Sequence, residues 1–186
     1  MAEGHTGAFA WDGLDESLPR SFDELIEIVI RTRRTSAPVN TLTALAAEIS
    51  PARRRRGLAR EILAAMRALA VDRGLTHLVA PVRPSAKDRY PLASIDAYVR
   101  WHRADGELLD PWMRVHERLG ARVATTMPRS LRITGSVADW TAWTGLAFPD
   151  SGSYVFPEGL APVEIDVDAD VGAYWEPNVW MVHPDC

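Results

Sequence analysis

The stretch from Leu42 to Arg73 constrains the fold of this chain more than any other. An apolar run, Leu42-Thr43-Ala44-Leu45-Ala46-Ala47-Glu48-Ile49, ends at Ser50-Pro51; four consecutive arginines, Arg53 to Arg56, follow; Gly57 then opens a strongly helical run from Leu58 to Arg73. As strand, tight turn and helix, this order places the main-chain N–H groups of Arg56 to Ala59 at a helix start. There they have no intrahelical partner and the positive end of the helix dipole adds to them. Gly57 lets an anion approach the backbone, and Ala59 is too small to block it. Two readings compete: a solvated basic helix start after a proline turn, and a cradle for a small polyanion with guanidinium groups around it.

The balance of charge favours a small ligand over a large one. The formal net charge is −4, so no global attraction to nucleic acid is expected, and the basic cluster is local. With 186 residues, 47% of them hydrophobic, the chain can build one domain with a real core. Its one cysteine, Cys186, is the last residue, which excludes an internal disulfide framework and a cysteine zinc site. His5, His77 and His183 show no ligand spacing, so no metal is expected. No run is long and apolar enough to span a bilayer, and no signal-peptide core opens the chain. The default is a cytoplasmic protein without a membrane partner.

Read in order, Met1 to Gly13 is strand-like and closed by the Asp12-Gly13 turn. Ser21 caps a helix from Phe22 to about Arg34, with Glu24 three residues on. Leu42 to Ile49 is a strand; simple alternation puts Leu45, Ala47 and Ile49 on the core side and Glu48 opposite. Leu58 to Arg73 is a helix ended by Gly74, and Thr76 to Val82 a second strand, giving a right-handed parallel βαβ unit. A short helix within Pro91 to Arg100, a helix from Asp110-Pro111 through Leu119, and strands at Ala121–Thr126 and Ser130–Thr134 follow. Ser136 caps a short helix from Val137 to Thr144, Val155 is strand-like, and Val163–Val167 pairs with Ala173–His183. No linker divides the chain, so residues 1–186 are expected to be a single domain, its central motif at about 41–85 and its late strands at about 86–186.

Arg54-Arg55-Arg56-Gly57-Leu58-Ala59 fits Arg/Gln-x-x-Gly-x-Gly/Ala and resembles the pyrophosphate loop of the Gcn5-related N-acetyltransferases. Thr76 to Val82 resembles that family's splayed strand, and Val115-His116-Glu117-Arg118-Leu119-Gly120-Ala121 its Leu-Tyr-Glu-Lys-Leu-Gly-Phe helix end. Tyr174-Trp175-Glu176-Pro177-Asn178-Val179-Trp180 resembles a closing strand of a bacterial subgroup. The resemblance implies an α/β (α+β) fold, a mixed twisted sheet with helices on both faces. It also implies a shortened front, since Met1 falls where the family's third strand is already under way, so that the opening strand-helix-helix layer is missing.

The resemblance further implies a coenzyme A-dependent N-acyltransferase, using acetyl-CoA or another acyl-CoA and acting on a small amine by direct transfer. Ile49, Arg54, Arg55, Arg56, Gly57, Leu58, Ala59, Arg60 and Ser85 are then the cofactor contacts, and a backbone N–H near Ala47 or Ile49 is the oxyanion donor. Glu48 is the candidate base, against the alternative of a carboxylate paired with the arginines. His116 stands where many members carry the tyrosine that protonates the leaving thiolate; the alternative is a half-buried helix histidine bonded to backbone. Tyr98, Trp101 and Trp112 are candidate acceptor contacts, against the ordinary role of such rings as core or cover. The alternating Glu164, Asp166, Asp168 and Asp170 read as a solvated strand face. Two rivals stay open: a different reaction on the same scaffold, and a non-catalytic homodimeric module paired through an exposed sheet edge.

Overall fold

The apolar run forms the strand from which the sheet forks. In the computed structural model, which describes residues 2–49 and 57–186, β1 (Ala2–Phe9) pairs antiparallel with β2 (Thr41–Ile49). Between them lies α1 (Phe22–Thr35), capped by Ser21, whose hydroxyl accepts from the Glu24 N–H. After α2 (Leu58–Asp72) the chain returns as β3 (His77–Val82), parallel to β2. Gly74 takes φ 65° just past the helix end, as a closing glycine should. One strand and one helix thus stand ahead of β2.

Then come α3 (Ile95–Tyr98), α4 (Pro111–Glu117), β4 (Arg122–Gly135), α5 (Val137–Thr144), β5 (Gly152–Tyr154), β6 (Val163–Asp166) and β7 (Val171–Val182). The strand order is β1-β2-β3-β7-β6-β5, with β4 on the other edge of β7. The sheet is therefore mixed, and helices cover both faces: α2, α3 and α4 on one, α1 and α5 on the other. Where two strands were expected at 121–134, β4 is continuous. It holds its ladder on β7 through a shift of register between Met127 and Leu131.

Three irregularities position the site. First, β2 and β3 pair only from Thr41↔His77 to Thr43↔Val79, after which both strands continue unpaired with each other and the sheet forks. Second, β2 bulges: His5 faces Ala46 but Thr6 faces Ala44, leaving Leu45 as the extra residue. The bulge overturns simple alternation. Leu45 packs with Val29 and Phe22 on the α1 face, whereas Ala44 packs with α2. Beyond it Ala47 and Ile49 line a cavity on the α2 face, so Leu45 and Ala47 do not share a side. Third, the β7 edge that pairs with β3 through Val179 and with β6 through Tyr174 carries no strand along residues 175–178.

Candidate active site at the fork of the sheet

The fork opens into a cavity of about 880 Å³ on the α2 face. Ala47 and Ile49 from β2, Gly57 to Arg60 from the start of α2, Arg83, Ser85 and Asp88 beyond β3, and Pro111, Trp112 and Val115 from α4 line it, with Glu158 at the rim. One pocket thus gathers the expected cofactor residues Ile49, Gly57, Leu58, Ala59, Arg60 and Ser85, together with Trp112. Arg54, Arg55 and Arg56 lie outside the described residues. Pro111 and Val115, which the sequence marks only as a helix start and part of the helix-end motif, share one face of α4 with Trp112; Arg83, Asp88 and Glu158 carry no local signal of a site.

The start of α2 suits an anion. Gly57 is the N-cap with φ 78°, a left-handed conformation that favours glycine, and it offers no side-chain cap. The first main-chain bonds to Gly57 O come from Arg60 and Glu61, leaving the Leu58 and Ala59 N–H groups directed out of the helix. Among the described residues, nothing stands within 4 Å of where a Gly57 Cβ would be. Down the fork, the β3-facing edge of β2 beyond Thr43 has no strand partner among the described residues, which leaves backbone there that could meet a carbonyl oxygen. The residues present fit a thioester carrier with its diphosphate at α2 and its acyl end in the fork.

The loop after β3 is held by two buried charged groups. Asp110, 2% exposed, accepts from the N–H groups of Ala86, Trp112 and Met113 and from the Tyr98 hydroxyl at 2.9 Å. Lys87, 1% exposed, donates to Tyr90 O and Leu160 O, both at 2.8 Å, tying this loop to the one that carries Glu158. Burial lowers its pKa.

The other candidates fall elsewhere. Tyr98 is buried in the core, its pKa pushed up by burial and by Asp110, and Trp101 packs against it and Tyr90. Neither lines the cavity. Glu48 is exposed and pairs in register with Glu3, on the opposite face of β2 from Ala47 and Ile49. His116 is 1% exposed and points away from the cavity. Its Nδ1 lies 3.0 Å from His183 Nε2, and Trp112 stands edge-on between it and the site. Burial first, then the neighbouring ring, brings its pKa down to about 3. His116 is not among the residues that line the cavity. Glu164 and Asp166 lie on β6, with Asp168 and Asp170 in the turn to β7. Among the described residues no three His, Cys, Asp or Glu side chains cluster to hold a metal, and no helix is long and apolar enough to cross a membrane.

No family model matches the chain. The arginine N-acetyltransferase avaD of Aspergillus versicolor is 36% identical over 163 residues, covering 78% of this chain and 56% of that protein, so the chain spans little more than half its length. The loading GNATL domain of CurA from Lyngbya majuscula superposes with a TM-score of 0.60 at 15% identity, over 97% of this chain and 70% of that one. The GphF GNAT-like decarboxylase, in complex with isobutyryl-CoA, superposes with a TM-score of 0.55 at 19% identity, over 98% and 71%. The two structures speak for the fold alone.

Proposed function

Because the chain belongs to the Gcn5-related N-acetyltransferase superfamily, we propose that it is an acyl-CoA-dependent N-acyltransferase acting on a small amine in the cytoplasm. The observation that carries the proposal is the single cavity joining an open helix N-terminus to unpaired strand backbone at the fork. The thioester supplies the activated acyl group: the amine nitrogen attacks its carbonyl carbon, the C–S bond breaks, an amide forms, and the thiolate recovers a proton from water.

The N–H groups of Leu58 and Ala59, with Arg60 beside them, hold the diphosphate. Backbone N–H groups of β2 near Ala47 and Ile49 steady the developing oxyanion. Trp112 and Val115 wall the pantetheine arm from water. Glu48 points to the α1 face of the forked strand, away from the cavity lining, so it receives the amine proton through water. His116, buried behind Trp112, has no part in this assignment.

Titration calorimetry with acetyl-CoA tests the cradle. Saturable binding is expected, weakened at least tenfold by Ala59→Glu, which plants a carboxylate in the first turn of α2 where phosphate oxygens belong. No heat at millimolar ligand would remove the proposal. Release of free thiol in the presence of an amine panel tests transfer itself. Tight cofactor binding with no thiol release would point instead to another reaction on this scaffold.

A further inference from the structure

A second cavity, of about 350 Å³, lies on the other face of the sheet. Its walls are aromatic: Trp140, Trp143, Phe156 and Tyr174 meet edge-to-face, with Phe156 and Tyr174 centroids 5.0 Å apart at 88° and Trp140 and Trp143 5.3 Å apart at 73°. Its charged groups are Glu158, Glu176 and Arg83. Arg83 and Glu158 also line the cofactor cavity, so the two pockets share a rim. That rim coincides with the stretch of β7 edge, residues 175–178, that no strand covers. The gap is a break in the sheet, which we read as a window between its two faces, and Arg83 bridges it from the end of β3 to Glu176 and the Glu158 carbonyl.

The rim already holds a guanidinium. Arg83 Nε lies 2.8 Å from Glu176 Oε2 and its Nη2 donates to the Glu158 carbonyl at 2.9 Å. Among the described residues, Glu176 Oε2 takes one other hydrogen bond, from the Tyr174 hydroxyl at 3.4 Å. A carboxylate accepts about four hydrogen bonds, so capacity is left. Two carboxylates against one arginine leave the pocket net negative, while aromatic faces attract planar cations.

Glu158 is also placed against its own backbone preference. Phe156-Pro157-Glu158-Gly159 is a turn closed by Gly159 N–H to Phe156 O at 3.1 Å, and Glu158 sits third with φ 64°. That position favours glycine, yet here it carries an exposed carboxylate on the rim of both pockets.

We propose that this second cavity binds the amine acceptor, and that the acceptor carries a guanidinium or similar planar cation remote from the amine it presents. The cation lies among the tryptophan faces with Glu176 and Glu158, and the amine reaches through the window toward the fork. Its role as acceptor site rests on acyl transfer; its binding chemistry does not, and amines are therefore titrated without coenzyme. Agmatine, cadaverine and pentylamine share a primary amine and an alkyl chain of similar length. They differ in the far end, which is a planar cation, a compact cation or nothing. Agmatine is expected to bind at least tenfold tighter than pentylamine, with cadaverine between them. Trp143→Ala, which touches the second cavity alone, should weaken agmatine at least fivefold while leaving acetyl-CoA affinity unchanged, and Glu158→Gly should weaken agmatine by a similar factor. Glu158→Gly should not lower the unfolding midpoint, because it relieves the left-handed position. Equal affinities for agmatine and pentylamine, or no agmatine binding by a protein that still binds acetyl-CoA, would overturn the proposal. Agmatine binding by a protein that ignores acetyl-CoA would instead count against acyl transfer and leave this pocket's chemistry standing.

Discussion

His116 and His183 form a buried pair that the fold keeps neutral. Burial is the main cause in both, and their pKa values fall to about 3 and about 4. His116 Nε2 has no partner among the described residues, so the cheaper arrangement has His116 donating from Nδ1 to His183 Nε2, leaving only a lone pair unmet. An unfolded chain takes up protons on these rings near pH 6.5, whereas the folded one resists until well below that. Their contribution is therefore fully present above about pH 6.5 and is lost as pH falls toward the folded values. Between pH 7 and 5 the two together should remove about 4 kcal/mol, and His116→Gln should roughly halve that loss. Urea midpoints at the two pH values measure it; an unchanged drop in the variant would show that other groups carry it. The sequence shows His116 in the right helix but not its bearing. Trp112 and Val115 are spaced to face the cavity, and His116 lies a further 100° round the helix, into the core.

Single elements were legible wherever local chemistry fixes them. Ser21, Asp110-Pro111 and Ser136 cap helices by their own side chains, and those starts appear where the residues stand. The bulge at Leu45 carries no such mark, since an alanine-rich strand offers neither glycine nor charge to announce a slipped register, and it alone decides which face Ala47 and Ile49 present. The fit of β1 against its helices is also set by tertiary contact. A Cβ on Gly7 would meet Val29 Cγ1 at 2.7 Å and Cγ2 at 2.9 Å, while one on Gly4 would meet the Met66 methyl at 2.5 Å and Ile62 Cγ2 at 3.0 Å. Valine is stiff at χ1 and methionine is not. Gly7→Ala should therefore cost about 1–3 kcal/mol by pushing α1 off the sheet, and Gly4→Ala roughly 1 kcal/mol or less. Denaturant melts compare them directly, and a larger cost at Gly4 would contradict the argument.

At the scale of the whole molecule, the fork and the window put two pockets on opposite faces of one sheet, meeting at Arg83 and Glu158. On the proposed assignment, cofactor and acceptor have separate doors, and neither must leave before the other enters. Initial-rate plots with acyl-CoA and amine varied together should give intersecting lines; parallel lines would mean a covalent acyl-enzyme, and the one thiol, Cys186, lines neither pocket. The long-range features were the hardest to foresee, because the gap along β7 exists only once β3 and β6 have docked end to end on the same edge. Lys87, the chain's sole lysine, sits at this crossing with its ammonium sealed between two carbonyls. On the proposed activity, the chain's only nucleophilic side-chain amine is thereby hidden from the protein's own reactive thioester. Adventitious acylation at that residue becomes a clock for opening of the fold, blank on intact molecules and written only on those that have come apart.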